Sequence, residues 1–288
     1  MNECINNCIN IINKRKIQYH RLFPKINNIN LNTLKIDDES VSYITIPNDS
    51  KRIISIISNH LINYKNINNC IIADITAGVG GDSINFCNNF KYVISIELDI
   101  MRYNCLKHNI NVYGFTNSTI LNGNSIELIT NIPFFDIIYI DPPWGGRDYK
   151  NKEKLTLKIG CYYLEHFILK CFNLNKVINF FEKKNEYYIT RDNISDNISD
   201  NIYDNIDDNI CNDNCYQCIP KIIVMKLPKN YDLKFMYTVL SSHLDIYLYE
   251  MNKINIIIIE KKDICENNNE TKKIIIETLN DIIDKIDN

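Results

Sequence analysis

From residue 70 onward, short apolar runs alternate with segments whose apolar residues recur at helical spacing. Cys70–Ala77 is an apolar run that ends in glycines, and Asp82–Phe90 reads as a helix behind it. Tyr92–Leu98 predicts a strand, Ile100–Tyr113 a helix and Ser118–Asn122 a short strand. Asp136–Asp141 is a strong strand, and Tyr162–Phe181 has helical spacing. Lys221–Leu227 predicts a strand and Tyr231–His243 a helix, before Asp245–Met251 and Asn255–Lys261 close the pattern as a hairpin. Strands alternating with helices imply an α/β fold: a mostly parallel seven-stranded sheet, helices on both faces, and an antiparallel C-terminal end.

The flanks differ. Ile5–Ile17 predicts a short helix, and Pro24 opens an Asn-rich loop. Pro47, Asn48 and Asp49 offer a helix start, followed by Ile53, Ile54, Ile57, Leu61 and Ile62 at helical spacing. Residues 1–66 therefore read as a helical N-terminal extension, 67–265 as the α/β domain and 266–288 as a tail. Within the domain, 192–214 is a low-complexity insert in which Asp192, Asp196, Asp200 and Asp204 each open an Asp-Asn-Ile-x copy. Its polarity predicts a surface loop or a disordered insert, dispensable for catalysis.

Composition adjusts this picture in three ways. Hydrophobic residues at 45% and charged residues at 23% fit a globular chain. Heavy use of Asn and Ile points to an AT-rich coding genome, viral or cellular, and weakens propensity arguments. A net charge of -3 argues against a long electrostatic footprint on nucleic acid, leaving room for a short basic site. Met1–Asn10 has no apolar signal core and no 18-residue apolar stretch occurs, so an intracellular chain, cytoplasmic or nuclear, with no membrane span is expected. The 11 cysteines are scattered, and Cys211, Cys215 and Cys218 have no fourth ligand at a familiar zinc spacing. The insert lacks the glycine and terminal glutamate of a calcium loop. No metal is expected, and the chain is expected to be a monomer.

Two stretches carry chemistry. The first runs from Asp74 through Thr76, Gly78, Gly80 and Gly81 to Ser83: a strand, a glycine-rich turn and a helix start. Open α/β sheets bind ligands at such carboxyl ends. A dinucleotide site would want a third glycine where Ser83 stands, and Asp82 at the helix start would repel a phosphate. An acid there suits a cofactor with a sulfonium and an amine, as in S-adenosylmethionine. Glu97 ends the second strand, where an acid can accept both ribose hydroxyls.

The second stretch is Asp141-Pro142-Pro143-Trp144-Gly145-Gly146-Arg147-Asp148-Tyr149, delivered by an apolar strand. Two prolines leave the Pro142 carbonyl free of ladder bonds. A carboxylate and a carbonyl can orient an aromatic amine and favour positive charge on its nitrogen, while Trp144 stacks on the base. Asp141, Pro142 and Trp144 are the candidate catalytic residues.

These motifs resemble those of the trimethylguanosine synthase family, which methylates the guanine N2 of RNA caps. The family's Asp-x-x-x-Gly-Val-Gly-Gly loop matches Asp74–Gly81, and its Pro-Pro-Trp-Gly-Gly-x-Asp-Tyr motif matches Pro142–Tyr149. Tyr19–Phe23, Asn109–Gly114, Leu227–Asn230 and Asn252-Lys253 are similar to further family segments. The resemblance implies a Rossmann-like class I methyltransferase fold, S-adenosylmethionine as cofactor and 7-methylguanosine-capped RNA as partner. It implies cofactor contacts from Asp74, Thr76, Gly78, Gly80, Gly81, Glu97, Asn124 and Asp141. It implies substrate contacts from Trp144, Tyr149, Lys229, Asn230 and Lys253, and an N-terminal extension that completes the substrate site. A chain starting near Cys70 is then expected to keep some cofactor affinity and lose methyl transfer.

The chain departs from the family in three places. Asp141 stands where Ser is frequent, Asn124 replaces an acid near the adenine, and Lys229 replaces an arginine and so loses a bidentate phosphate grip. The rival expectations are another base amino methyltransferase, on ribosomal guanine N2 or adenine N6, and a non-catalytic cap-binding protein.

Overall fold

The computed structural model describes residues 18–26, 29–174 and 218–262. The expected helix Ile5–Ile17, the insert at 192–214, Cys211, Cys215 and the tail 266–288 lie outside these residues.

The strands are β1 Ile71–Asp74, β2 Tyr92–Glu97, β3 Ser118–Asn122, β4 Ile137–Ile140, β7 Ile222–Pro228, β8 Leu244–Glu250 and β9 Ile254–Lys261, with a small separate hairpin β5 Lys158–Ile159 and β6 Tyr162–Tyr163. The seven-stranded sheet has the order β3-β2-β1-β4-β7-β9-β8. The first five of these run parallel, and β9 is antiparallel to both of its neighbours. This is the Rossmann-like arrangement expected of a class I methyltransferase. The parallel register sets Asp74 opposite Ser95 and Tyr139. It brings the ends of β1, β2, β4 and β7 to one edge, and the β8–β9 turn joins them because Pro228 pairs with Ile254.

The helices are α1 Tyr19–Leu22, α2 Ser40–Tyr43, α3 Pro47–His60, α4 Gly81–Cys87, α5 Ile100–Tyr113, α6 Ser125–Thr130, α7 Leu164–Cys171 and α8 Leu233–Leu240. The expected helix over Tyr162–Phe181 begins two residues late, because Tyr162 and Tyr163 pair with Lys158 and Ile159 as β5–β6. The described helix ends at Cys171, Asn173 takes a left-handed φ of 57°, and residues 175–181 of the expected helix lie outside the described residues. Helix α6 has too few apolar repeats to show in the sequence; Asn124 caps it, its side chain accepting from Ile126 N–H.

Strand alternation sorts the core into two layers. Ala73, Ile94, Ile138, Ile223 and Met225 face Phe167, Leu169 and Met236. Ile72, Val93, Ile137, Tyr139 and Val224 face Ile84, Phe86, Leu106 and Ile110, together with Phe23, Ile53, Ile57 and Leu61. The N-terminal section is thus part of the same core. Asn109 fastens it: its amide accepts from Lys35 N–H and donates to the carbonyls of Lys35 and Val79, each within 2.9 Å. Tyr113 adds a hydrogen bond to the Pro24 carbonyl.

Candidate active site

The alternation that builds the second layer also aims its polar members. Asp74, Ser95, Glu97, Tyr139, Asp141 and Lys226 share strand parity with Ile72, Val93, Ile137 and Val224, so they face the side covered by α3, α4 and α5.

At the glycine turn, Gly78 takes a φ of +54°, and a Cβ there would meet nothing within 4 Å. It is glycine for its backbone conformation, and it leaves an open face beside Asp74 and Glu97. Its N–H donates to Glu97 Oε2 at 2.7 Å, while Asp99 N–H donates to Oε1 at 2.8 Å. Burial raises the Glu97 carboxyl above its ordinary range, and these two donors pull it back part of the way. Asp74 is buried and accepts from Ser83 Oγ at 2.5 Å. Burial raises its carboxyl to about 8, against the opposing Ser83 bond. Thr76 Oγ1 accepts from the Asp141 N–H at 2.7 Å, tying the turn to the end of β4. Gly80 has a φ of +100° and abuts Leu106. Gly81 serves packing: a Cβ there would lie 2.5 Å from Ile44 Cγ1 and 3.2 Å from the Thr45 carbonyl.

Asp82 corrects the sequence reading. It does not present charge to a ligand from the helix start. It is buried, and its Oδ2 accepts from Thr45 Oγ1 at 2.6 Å and Tyr139 OH at 3.0 Å. The first turn of α4 packs against the N-terminal section, which turns this side chain inward.

At the end of β4, Asp141 Oδ2 meets Lys226 Nζ at 2.5 Å. The Asp141 side chain is 21% exposed and that of Lys226 only 6%. Lys226 Nζ also donates to Thr45 Oγ1 at 2.8 Å and stands 5.4 Å from the Trp144 ring centroid. Desolvation raises the Asp141 carboxyl to about 6, with Lys226 the main opposing influence. Burial alone favours a neutral lysine, but Asp141 and Asp82 outweigh it and hold the ammonium above its ordinary range. The Trp144 indole is half-buried across both core layers and meets Tyr149 edge-to-face at 5.2 Å. Its Nε1–H is buried on the Asp141 side, where it helps to lower the Asp141 carboxyl.

A chain with this sheet order, glycine turn and Asp-Pro-Pro-Trp strand end can be compared with known proteins. Residues 69–272 match the RNA cap guanine-N2 methyltransferase family. The chain belongs to that family. It is 30% identical to an uncharacterised protein of Acanthamoeba polyphaga mimivirus, over 83% of this chain and 84% of that one. It is 34% identical to the trimethylguanosine synthase of Schizosaccharomyces pombe over 95 residues, which span 30% of this chain and 38% of that enzyme. Among solved structures, a 16S rRNA N2 methyltransferase of T. thermophilus in complex with AdoMet and guanosine aligns with a TM-score of 0.46 and 11% identity, over 79% of this chain and 44% of that one.

In this cap methyltransferase family member, the remaining sequence-predicted residues lie along the same edge with differing engagements. Asn230 Nδ2 donates to the carbonyls of Tyr149 and Lys152, both at 2.7 Å, so its amide holds the loop that carries Tyr149. Lys229 is partly exposed and pairs with Glu250 at 3.5 Å. Lys253 is exposed on the β8–β9 turn. Asn124 spends one lone pair of its carbonyl on capping α6, while its Nδ2–H donates to Glu127. Among the described residues no group of three His, Cys, Asp or Glu is placed to hold a metal, and no helix is long and apolar enough to cross a membrane. Cys218 is buried, its Sγ against the Phe135 backbone at 3.3 Å.

Sequence reasoning missed Lys226 and Thr45. Lys226 had a readable signal: a lone charge inside the apolar run Ile222–Leu227, which requires a buried partner. Thr45 had none, because only the fold carries it to β4 and β7.

Proposed function

We propose that the protein transfers methyl from S-adenosylmethionine to the exocyclic N2 of a 7-methylguanosine RNA cap, giving di- or trimethylguanosine. The observation that carries this reading is Asp141 beside the half-buried, sole tryptophan Trp144 at the edge shared with the glycine turn, in a chain of the cap guanine-N2 methyltransferase family. The donor set fits the cofactor. Asp74 and Asp141 stand at the strand ends with burial raising both carboxyls, and among the described residues the Lys226 ammonium pairs only with Asp141. Such a site favours a cationic ligand, which would restore the charged forms.

S-adenosylmethionine supplies an electrophilic methyl group on a sulfonium. In this reading Asp74 faces its methionyl end, and the Gly78–Gly81 turn with Thr76 shapes the approach. Glu97 keeps lone pairs for the ribose hydroxyls beyond its two backbone donors, and Asn124 keeps one for the adenine amine. Trp144 stacks on the base, whose positive charge adds a cation–π attraction of about 0.5–2 kcal/mol. Asp141 and the Pro142 carbonyl accept the two N2–H bonds. They aim the nitrogen lone pair in line with the methyl group, and Asp141 or solvent takes the released proton. Lys229 and Lys253 attract the cap phosphates, and Asn230 holds Tyr149 beside them.

The test is methyl transfer to cap analogues, with product masses. The expected result is one or two methyl additions on the N7-methylated analogue and at least a tenfold lower rate on the unmethylated one. Equal rates on the two would remove the cap reading in favour of a general base amino methyltransferase.

A further inference from the structure

Lys226 is a charge that the proposed reaction does not call for. Burying an ammonium is costly unless it is paired, and β7 otherwise carries only apolar side chains to this layer. Its surroundings are specific. From β4 comes Asp141 at 2.5 Å and from α4 comes Asp82, to which Tyr139 donates; Asp74 of β1 acts on Asp141 and Asp82. From the N-terminal section come Thr45, bonded at 2.8 Å, and the more distant Asp49; beyond β4, Trp144 lies beneath the ammonium at 5.4 Å.

Without Lys226, Asp141 would face Asp82 and Asp74 across a buried space with no opposing cation nearby. It would then be protonated near neutral pH. A carboxylic acid there has no second strong acceptor for an amine and cannot take up a proton after transfer.

We propose that Lys226 is a positioning residue: held by Thr45 of the N-terminal section, its ammonium keeps Asp141 a carboxylate and fixes that carboxylate at the end of β4 for the incoming amine. This rests on the methyl-transfer reading for its purpose, but not for its electrostatics. Thr45 has a second bond, to Asp82, which Tyr139 also donates to. The N-terminal section therefore helps to set the charge state of a residue at the end of the sheet's central strand.

The chain's single tryptophan makes the charge state readable without any assay of activity, because Trp144 lies beside both Asp141 and Lys226. Selectively excited Trp144 fluorescence is titrated in the full chain and in Asp141→Asn, Lys226→Met, Lys226→Arg and Thr45→Val. The parent is expected to show a transition near pH 6 that Asp141→Asn lacks. Lys226→Met is expected to move the midpoint up by about two pH units, and Lys226→Arg to restore most of the parental value. Thr45→Val, which keeps the shape and loses the hydroxyl, is expected to move it up by a smaller amount. In methyl transfer at pH 6.5, Lys226→Met is expected to lower kcat roughly twentyfold with KM little changed, and to recover to within about twofold by pH 9. A midpoint unmoved in a folded Lys226→Met overturns the proposal. If that variant does not fold, an unmoved midpoint in Thr45→Val overturns it. A parent that methylates no cap analogue removes the functional reading separately, and the fluorescence midpoint still decides the role of Lys226.

Discussion

Asp74 is buried at the end of β1 with a carboxyl raised to about 8, next to a turn open to ligand. A bound sulfonium or ammonium favours its charged form, so cofactor affinity is expected to fall as pH drops below about 8, by up to roughly tenfold per pH unit. Calorimetry of S-adenosylmethionine binding from pH 6 to 9 checks this. Asp74→Asn should weaken binding and flatten the profile; a parental affinity indifferent to pH would exclude Asp74 as the counter-charge. Trp144 allows a separate expectation, because its proposed part is to stack on the base and not to hold the cofactor. Trp144→Ala should reduce methyl transfer at least about a hundredfold while leaving cofactor affinity within about twofold. Trp144→Phe should retain part of the rate, since a smaller ring still stacks.

At the scale of elements, the approach of the N-terminal section to α4 depends on one missing side chain. Gly81→Ala would drive a Cβ against Ile44 and the Thr45 backbone, with an expected cost of about 1–3 kcal/mol. The same shift would pull Thr45 from Asp82 and Lys226. Thermal melts should therefore fall by several degrees, and the Trp144 fluorescence midpoint should rise in the same variant. The structure also changes the expected result of truncation. Phe23, Ile53, Ile57 and Leu61 are buried against the sheet layer, so removing residues 1–66 strips part of the cover from one face. Each large buried side chain contributes about 1.5–3 kcal/mol. Such a chain is expected to unfold or aggregate, rather than bind cofactor and lose only transfer; a cooperative melt from a chain beginning at Cys70 would refute this.

For the whole molecule, buried acids set the direction of the pH dependence. Burial raises Asp74 to about 8, Glu165 to about 7 and Asp141 to about 6. Each is therefore protonated in the folded chain over a range where the unfolded chain has lost the proton. The folded state binds more protons between about pH 4 and 8, so stability falls as pH rises through this window and levels off above it. Unfolding free energies from denaturant titrations at pH 5 to 9 should decline by an amount on the order of a few kcal/mol. Asp74→Asn should flatten part of the slope, and a stability that rises across this range would contradict the burial of these groups. Saturating cofactor should offset the decline in the parent.

Much of this was legible in the chain because it is local. Strand and helix periods, the glycine turn and the Asp-Pro-Pro-Trp run are written in neighbouring residues, and Ile100–Tyr113 and Ser118–Asn122 were placed to the residue. Strand ends also follow from sequence, so Glu97 and Asp141 each read as an acid at the end of an apolar strand. What only the tertiary structure decided is which charge meets which. Lys226 reaches Asp141 because β7 lies beside β4 in parallel register, with Tyr139 opposite Val224, and neither strand order nor register is encoded in any short window. Asp82 turns inward, and Gly81 must lack a side chain, because a segment some forty residues away lies against them. Asn230 grips the Tyr149 loop for the same kind of reason. Hydrophobic spacing specifies which faces are buried, but the partner of a buried charge depends on contacts between distant segments, and those exist only once the core has closed.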